Sequence, residues 1–491
     1  MSKILEKARE YENRTAACRI PESHRPVFHF SAPAGWLNDP NGFGDFMGEH
    51  HLFFQYNPYD VHWDTMHWGH AKSRDFIKWE YLPTALAPDE AYDQKGVFSG
   101  GAVEKDGKHY LLYTGVKEIT DEAGKKVIRQ EQCLAEGDGL NYQKVSCNPV
   151  ITAELLPEGS SLEDFRDPKL WEEDGRFYTA VGSRHADGSG QILLFSSEDL
   201  HKWKFCTVLA RCQNQYGKMW ECPDFFSLEG KRILIVSPQD MQAKDLEFHN
   251  GNGNIFLIGD YDKASMDYRW DKVQSCDYGL DFYAAQTMET GDGRRIMIGW
   301  MQSWDNHLFK QELGWSGQFT VPRELFVRDG RVCQRPVREL ENYRVGPVKH
   351  SHVRLGEELE ALPGIEGRCV DMTVEIEAGD SDAVEIRLAE NEDFYSSVLY
   401  NPRENTVAFD RTYSGFCRDF ISSRTMKVRD RGGKLFLRIL LDRYSCEIFA
   451  NDGEQAMTSL LFSSQECSGI RFRSKGKADI SVSKYEIAVV R

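Results

Sequence analysis

The hydrophobic pattern of the chain is dominated by short, continuous apolar runs. Five stand out: His51-Leu52-Phe53-Phe54-Gln55-Tyr56, His109-Tyr110-Leu111-Leu112-Tyr113, Arg176-Phe177-Tyr178-Thr179-Ala180-Val181, Arg232-Ile233-Leu234-Ile235-Val236 and Arg295-Ile296-Met297-Ile298-Gly299-Trp300. Runs of this length, rich in aliphatic and aromatic residues, predict strands. Their centres recur about every sixty residues, a little longer than common propeller periods. Two runs are followed by a second shared element: Ser73-Arg74-Asp75-Phe76-Ile77-Lys78-Trp79 matches Ser197-Glu198-Asp199-Leu200-His201-Lys202-Trp203. Each reads as a turn that opens an outer strand. Five such units predict an all-β chain built around a five-bladed β-propeller. An irregular β-sandwich with similar strands fits the repeats as well.

The pattern changes after Arg335-Pro336. Val374, Ile376 and Ala378 alternate with Thr373, Glu375 and Glu377, and Val384, Ile386 and Leu388 alternate with Glu385 and Arg387. Period-two alternation predicts half-buried antiparallel strands. Asn451-Asp452-Gly453 supplies a hairpin turn after Glu447-Ile448-Phe449. All eleven tryptophans lie at or before Trp315. The expected organisation is therefore an N-terminal helical extension over 1–25, a propeller over 26–335, a polar linker over 336–349 and a β-sandwich over 350–491. Within the extension, Ile4, Leu5 and Ala8 share one face of a helix predicted over about 3–12.

Charge narrows the class of partner. The chain carries a formal net charge of −17. That argues against nucleic acid and anionic membrane, which need a basic face. It leaves a small-molecule substrate, an anionic one included. The N-terminus is charged from its third residue and shows no apolar core of a secretory signal, and no run approaches a membrane span. Twelve cysteines are spread along the chain without a C-x-x-C spacing, so free thiols in a reducing cytoplasm are expected. Oligomeric state is not legible.

Three acids share a place in the repeat. Asp39 lies in Trp36-Leu37-Asn38-Asp39-Pro40-Asn41-Gly42, Asp167 in Phe165-Arg166-Asp167-Pro168, and Glu221 in Trp220-Glu221-Cys222-Pro223-Asp224. Each precedes its apolar run by one strand length, so equivalent inner strands would bring three carboxylates into one cavity. The corresponding places in the other two repeats hold Phe98-Ser99-Gly100-Gly101 and Asp281-Phe282-Tyr283-Ala284. Read singly, Asp39 suits a turn, Arg166 with Asp167 an ordinary ion pair, and Glu221 a buried hydrogen-bonded carboxylate. Clustered carboxylates suit glycosidic bond cleavage, in which one ionised group attacks and another donates a proton. Crowding like charges and burying one of them raises its pKa and favours the acid role. Trp36, Trp63, Trp68, Trp220 and Trp300 lie near these motifs and offer faces for sugar rings or packing between sheets. Trp79, Trp203 and Trp270 read as packing. His62, His67 and His70, with Asp64, lack the spacing of a metal site, and no metal or cofactor is expected.

Taken together, Trp36–Gly42, Phe98-Ser99-Gly100, Phe165–Pro168, Trp220–Asp224 and the stretch Trp315-Ser316-Gly317 through Thr320-Val321-Pro322-Arg323-Glu324-Leu325 resemble glycoside hydrolase family 32, the invertase and fructanase family. The motifs stand in the family's order over about 26–490. The resemblance implies a five-bladed propeller followed by a β-sandwich, and a retaining β-fructofuranosidase acting on sucrose or sucrose-6-phosphate. It implies Asp39 as nucleophile of a covalent fructosyl-enzyme, Glu221 as acid/base and Asp167 as transition-state stabiliser, with Arg166 orienting the acids. Asn38, Gln55, Trp63, Phe98, Ser99, Tyr283 and Trp300 match substrate-pocket residues. Retention would place the Asp39 and Glu221 carboxyls roughly 5–5.5 Å apart. The alternatives are an exo-acting fructanase on short fructo-oligosaccharides, transfer of fructose to another sugar, and a catalytically inert carbohydrate-binding propeller.

Overall fold

The computed structural model describes residues 1–16, 20–121, 123–306, 313–415 and 420–490. Its elements are almost wholly β. Five antiparallel sheets follow one another along the chain up to Pro336, each meandering from its first strand outward. Their first strands are Gly35–Phe46, Gly96–Lys105, Ser160–Glu173, Trp220–Leu228 and Tyr283–Glu289. Each of the five predicted apolar runs lies in the second strand of its sheet.

The reason these second strands are apolar on both sides is that each sheet faces a neighbour on each side. Phe53 and Trp68 of the first sheet pack with Leu111 and Tyr113 of the second. Leu112 and Leu134 pack with Leu170 and Leu193 of the third. Ile192 and Leu194 then meet Leu234 and Val236 of the fourth, and Ile233 and Ile235 meet Met297 and Leu325 of the fifth. Ile296 and Ile298 close back on Leu52 and Phe54 of the first. The first strands touch one another in the same cyclic order, the fifth returning to the first. A two-residue strand, Trp315-Ser316, adds to the first sheet in parallel beside Gly35 and Trp36.

The repeated turn is the same at both places. Asp75 Oδ1 accepts from the Ile77 and Lys78 amides, and Asp199 Oδ1 from those of His201 and Lys202. The indoles of Trp79 and Trp203 donate back to the carbonyls of Phe76 and Leu200. Each turn opens the fourth strand of its sheet, as expected.

After Pro336 the chain forms two six-stranded antiparallel sheets. They share one apolar core that includes Val374, Ile376, Val384, Ile386, Leu388, Leu437 and Ile439, the residues that alternation marked and their partners. Asn451, Asp452 and Gly453 all adopt positive φ and turn the hairpin between Ser445–Ala450 and Gln455–Leu460. The stretch expected as a linker, 336–349, is instead structured. It holds a 3-10 helix, Arg338–Tyr343, and the start of the strand Arg344–Leu355. That strand is an edge of its sheet, bulged twice and mostly exposed, so its polarity mimics a loop.

At the N-terminus, α1 spans Lys3–Tyr11, with Ser2 Oγ accepting from the Leu5 amide as its cap. Leu5 and Ala8 are buried, but Ile4 is exposed, which corrects its expected place on the packed face. Arg9 and Glu12 tie this end of the chain to Thr84 on the outer strand of the first sheet.

The five-sheet part is joined to the C-terminal pair by buried charges. His29 sits between Asp442, at 2.8 Å, and Glu447, at 2.7 Å. Arg323 bonds Glu447 and Asp277, and Arg411 bonds Asp281. Asp281, expected near the cavity, is therefore spent on this interface.

Candidate active site

Every first strand of the five sheets is interrupted by a β-bulge, and each bulge falls on a motif. The extra residue lies between Leu37 and Pro40, Phe98 and Gly100, Arg166 and Lys169, Glu221 and Asp224, and Tyr283 and Gln286. A bulge bends the strand and re-aims side chains. Asp167, Cys222 and Ala284, the first bulged residues of the third, fourth and fifth sheets, have φ of 64°, 47° and 54°. Positive φ is unfavourable for these residues outside special contexts and is retained where surrounding structure holds it. The three acids are therefore not at one equivalent position, as their spacing suggested. Glu221 immediately precedes its bulge, Asp167 is the first bulged residue of its strand and Asp39 the second.

The bulges bring the acids to one cleft of about 530 Å³. Its lining includes Asn38, Asp39, Gln55, Trp63, Phe98, Ser99, Arg166, Asp167 and Glu221 from the expected set. Asp39 is held from three sides. Ser99 Oγ donates to its Oδ2 at 2.6 Å, Cys222 Sγ approaches the same oxygen at 3.5 Å, and Asn38 Nδ2 donates to Oδ1 at 2.9 Å. Asn38 is itself oriented by the Trp36 indole, which donates to its Oδ1 at 2.8 Å. Gln55 donates to the carbonyl of Val97 at 3.0 Å and ties the first sheet to the strand that carries Ser99.

Asp167 accepts the Cys222 amide at 3.0 Å, and its own amide donates to Thr114 Oγ1 at 3.0 Å. Cys222 Sγ lies 3.6 Å from Asp167 Oδ2, so one thiol stands between two carboxylates. Glu221 Oε1 accepts from Arg166 Nε at 3.0 Å and Nη2 at 2.9 Å, while Oε2 accepts from the Tyr283 hydroxyl at 2.7 Å. Both oxygens are thus fixed in direction. Arg166 also donates to Asp164 at 3.0 Å, and Arg184 pairs with the other oxygen of Asp164 at 2.6 Å.

Electrostatics follow from this crowding. Burial pushes Asp39 above its ordinary pKa; the hydrogen bonds from Ser99 and Asn38 oppose this, and the charge of Glu221 adds to it. Burial also raises Asp167, to about 7, against the pull of Arg166 and with the push of Glu221 and Asp39. The Cys222 thiol is driven well up by burial and by Asp39 and Asp167, so it stays protonated and serves as a donor. Burial and crowding thus disfavour three full charges at once and favour a proton shared within the cluster.

Two expected pocket residues are placed elsewhere. Tyr283 is buried behind Glu221, bonding it and the Ser237 carbonyl, and does not line the cleft. Trp300 is fully buried, its ring edge-on to Trp36 and Trp304. Trp36, Trp68 and Trp220 are likewise buried, with Trp220 in the core between the third and fourth sheets. These four tryptophans pack the protein interior, while Trp63, 47% exposed, is the one of the five that lines the cleft. The residues missed are Trp304, Ile128, Gln130, Glu163, Asp164 and Gln239. Trp304 stacks on Trp36, with ring centres 6.2 Å apart, and stands edge-on to Trp63. It sits just past the end of the run that ends at Trp300, so a second tryptophan four residues on was the available signal.

The chain matches the glycosyl hydrolases family 32 N-terminal domain over residues 29–336 and the family's C-terminal domain over 339–488. It is 39% identical to a raffinose invertase of Escherichia coli over 454 residues, 89% of each chain. It is 36% identical to a sucrose-6-phosphate hydrolase of Zymomonas mobilis over 468 residues, 92% of this chain and 89% of that one. Among solved structures, a GH32 β-fructofuranosidase of Bombyx mori superposes with a TM-score of 0.85 at 33% identity, covering 98% of both chains. With matches spanning nearly its whole length, the chain belongs to glycoside hydrolase family 32.

Proposed function

We propose that the cleft hydrolyses terminal, non-reducing β-D-fructofuranosides such as sucrose, with retention through a fructosyl-enzyme. The observation that carries this reading is the meeting of Asp39, Asp167 and Glu221, each at or beside a bulge, in the lining of one cleft. As a family member the chain is a β-fructofuranosidase. Asp39 attacks the anomeric carbon of fructose, its attacking direction set by Ser99 and Asn38. Glu221 gives a proton to the leaving oxygen and then takes one from water, its carboxyl aimed by Arg166 and Tyr283. Asp167 stays close to the fructose hydroxyls and strengthens its contacts as the oxocarbenium-like centre forms. Trp63, Trp304, Phe98 and Ile128 give the lining its apolar surface, and Gln55 and Gln130 add neutral amides to it.

The five sheets are read as the blades of a five-bladed propeller over 26–335, supported by the cyclic contacts of their first strands. The C-terminal pair of sheets is read as a β-sandwich. The ten described cysteines are free thiols, which favours a reducing compartment such as the cytoplasm. Among the described residues, no helix is long and apolar enough to cross a membrane.

The test is Asp39→Ala. Sucrose cleavage falls by on the order of 10³ or more, while the circular dichroism spectrum and unfolding midpoint stay close to those of the parent. Near-parental cleavage by this variant removes Asp39 from the mechanism.

A further inference from the structure

The first strand of the third sheet carries more than Arg166 and Asp167 to the cleft. Glu163 and Asp164 precede them and reach the same lining. Ser161 Oγ accepts the amides of both, at 3.2 and 3.0 Å, and fixes the strand there. Asp164 is shared between Arg166 and Arg184. Glu163 is exposed, and among the described residues its carboxylate meets no cation within ion-pair distance. The cleft thus gathers Asp39, Glu163, Asp164, Asp167 and Glu221, against Arg166 as the one cation among the described lining residues. That guanidinium is buried and committed to Glu221 and Asp164.

The remaining lining suits an uncharged sugar. Trp63, Trp304, Phe98 and Ile128 are apolar, and Gln130 and Gln239 are neutral amides. Gln239 uses its backbone in pairing with Lys218 and Met219, which leaves its amide to meet hydroxyls. A phosphate monoester carries about −1.5 to −2 charges near pH 7. Such a group entering this cleft meets a lining that carries the unpaired Glu163 carboxylate. It also approaches a molecule of net charge −17, whose field slows encounter with anions.

Resting on the activity proposed above, we propose that Glu163 makes this enzyme select an uncharged leaving group. Sucrose and sucrose with a neutral sugar at the glucose O6 are substrates, and sucrose-6-phosphate is discriminated against by charge. Raffinose is the steric control, because its galactosyl unit occupies the same O6 without a charge.

The experiment measures kcat/KM for sucrose, raffinose and sucrose-6-phosphate with the full-length enzyme, at low and at high salt. Sucrose and raffinose are expected within about tenfold of each other, and sucrose-6-phosphate at least about tenfold below both. The sucrose-6-phosphate value rises with salt as the repulsion is screened. In Glu163→Gln the ratio of sucrose-6-phosphate to sucrose rises at least about threefold. Equal or preferred turnover of sucrose-6-phosphate overturns the proposal. An equal loss for raffinose overturns it too, since size and not charge then decides. An unmoved ratio in Glu163→Gln removes Glu163 as the determinant. Failure to cleave any of the three sugars would instead refute the fructofuranosidase reading itself.

Discussion

Replacing Ser99 with Ala tests whether Asp39 works as an ionised nucleophile. The Ser99 hydroxyl lies 2.6 Å from Asp39 Oδ2 and is the strongest of the contacts that oppose the effect of burial. Removing it leaves Asn38 on the other oxygen and a weaker thiol donor on this one. A hydrogen bond to an ionised group is worth about 1.5–3 kcal/mol. At 1.36 kcal/mol per unit, the pKa of Asp39 rises by about 1–2 units. Attack requires the ionised form, so the acidic limb of the kcat/KM profile on sucrose moves to higher pH by that amount. The loss is largest at acid pH, on the order of 10- to 100-fold, and shrinks as pH rises. The basic limb, which does not report Asp39, keeps its position. The assay is glucose release from sucrose across pH 4–9 for parent and variant. A uniform fall with an unmoved acidic limb would refute the reasoning, because loss of fit alone scales activity without shifting it.

Three further outcomes follow from other contacts. Burial opposes the charge on His29, but its hydrogen bonds to Asp442 and Glu447 outweigh this and raise its pKa to about 9. The stability it lends is present in full below the unfolded pKa of about 6.5 and is lost as pH rises through about 9. The unfolding midpoint therefore falls between pH 6.5 and 9, by the equivalent of on the order of 3 kcal/mol, and His29→Asn flattens that fall; an equally steep fall in the variant counts against the assignment. Glu447→Gln leaves Arg323 short of a buried partner and costs about 3–5 kcal/mol, read as a lower urea midpoint; an unchanged midpoint would show that Asp277 alone suffices. Trp304→Ala removes a cleft wall and raises KM for sucrose about tenfold with a smaller effect on kcat; an unaltered KM would place the sugar elsewhere.

What could be read from the sequence follows from how local each feature is. The second strands are buried on both faces, so their composition announces them without knowledge of neighbours. Val374 and Ile376 are buried on one face only, and alternation reveals them equally well. The strand Arg344–Leu355 escaped because an exposed edge has no hydrophobic pattern to display. Site residues divide in the same way. Asp39, Asp167 and Glu221 stand in dense motifs, and the structure brings all three to one cleft. Trp300 and Trp304 are both near the site, but which indole faces the cleft depends on the strand ending between them. Tyr283, expected in the pocket wall, instead bonds Glu221 from outside the lining, a distinction that only the packing of the fourth and fifth sheets decides. Glu163 and Gln239 carry no local signal, because their role depends on a cavity assembled from distant parts of the chain.

The bulges explain how a repeated architecture builds an unsymmetrical site. Five equivalent strands without bulges would present equivalent positions in a ring, and like residues there would only repel. Each strand gains one extra residue at the same level, and this opens three adjacent offsets from which a side chain can reach the cleft. The acids use one offset each: before the bulge for Glu221, first within it for Asp167, second for Asp39. Their environments therefore differ although their sequence phase is nearly the same. Glu221 meets a guanidinium and a phenol, Asp39 a hydroxyl and an amide, and Asp167 a backbone amide. Three carboxylates in three settings can divide attack, proton transfer and charge stabilisation among themselves. The cyclic fold supplies proximity, and the stagger of one residue per strand supplies the chemical differences.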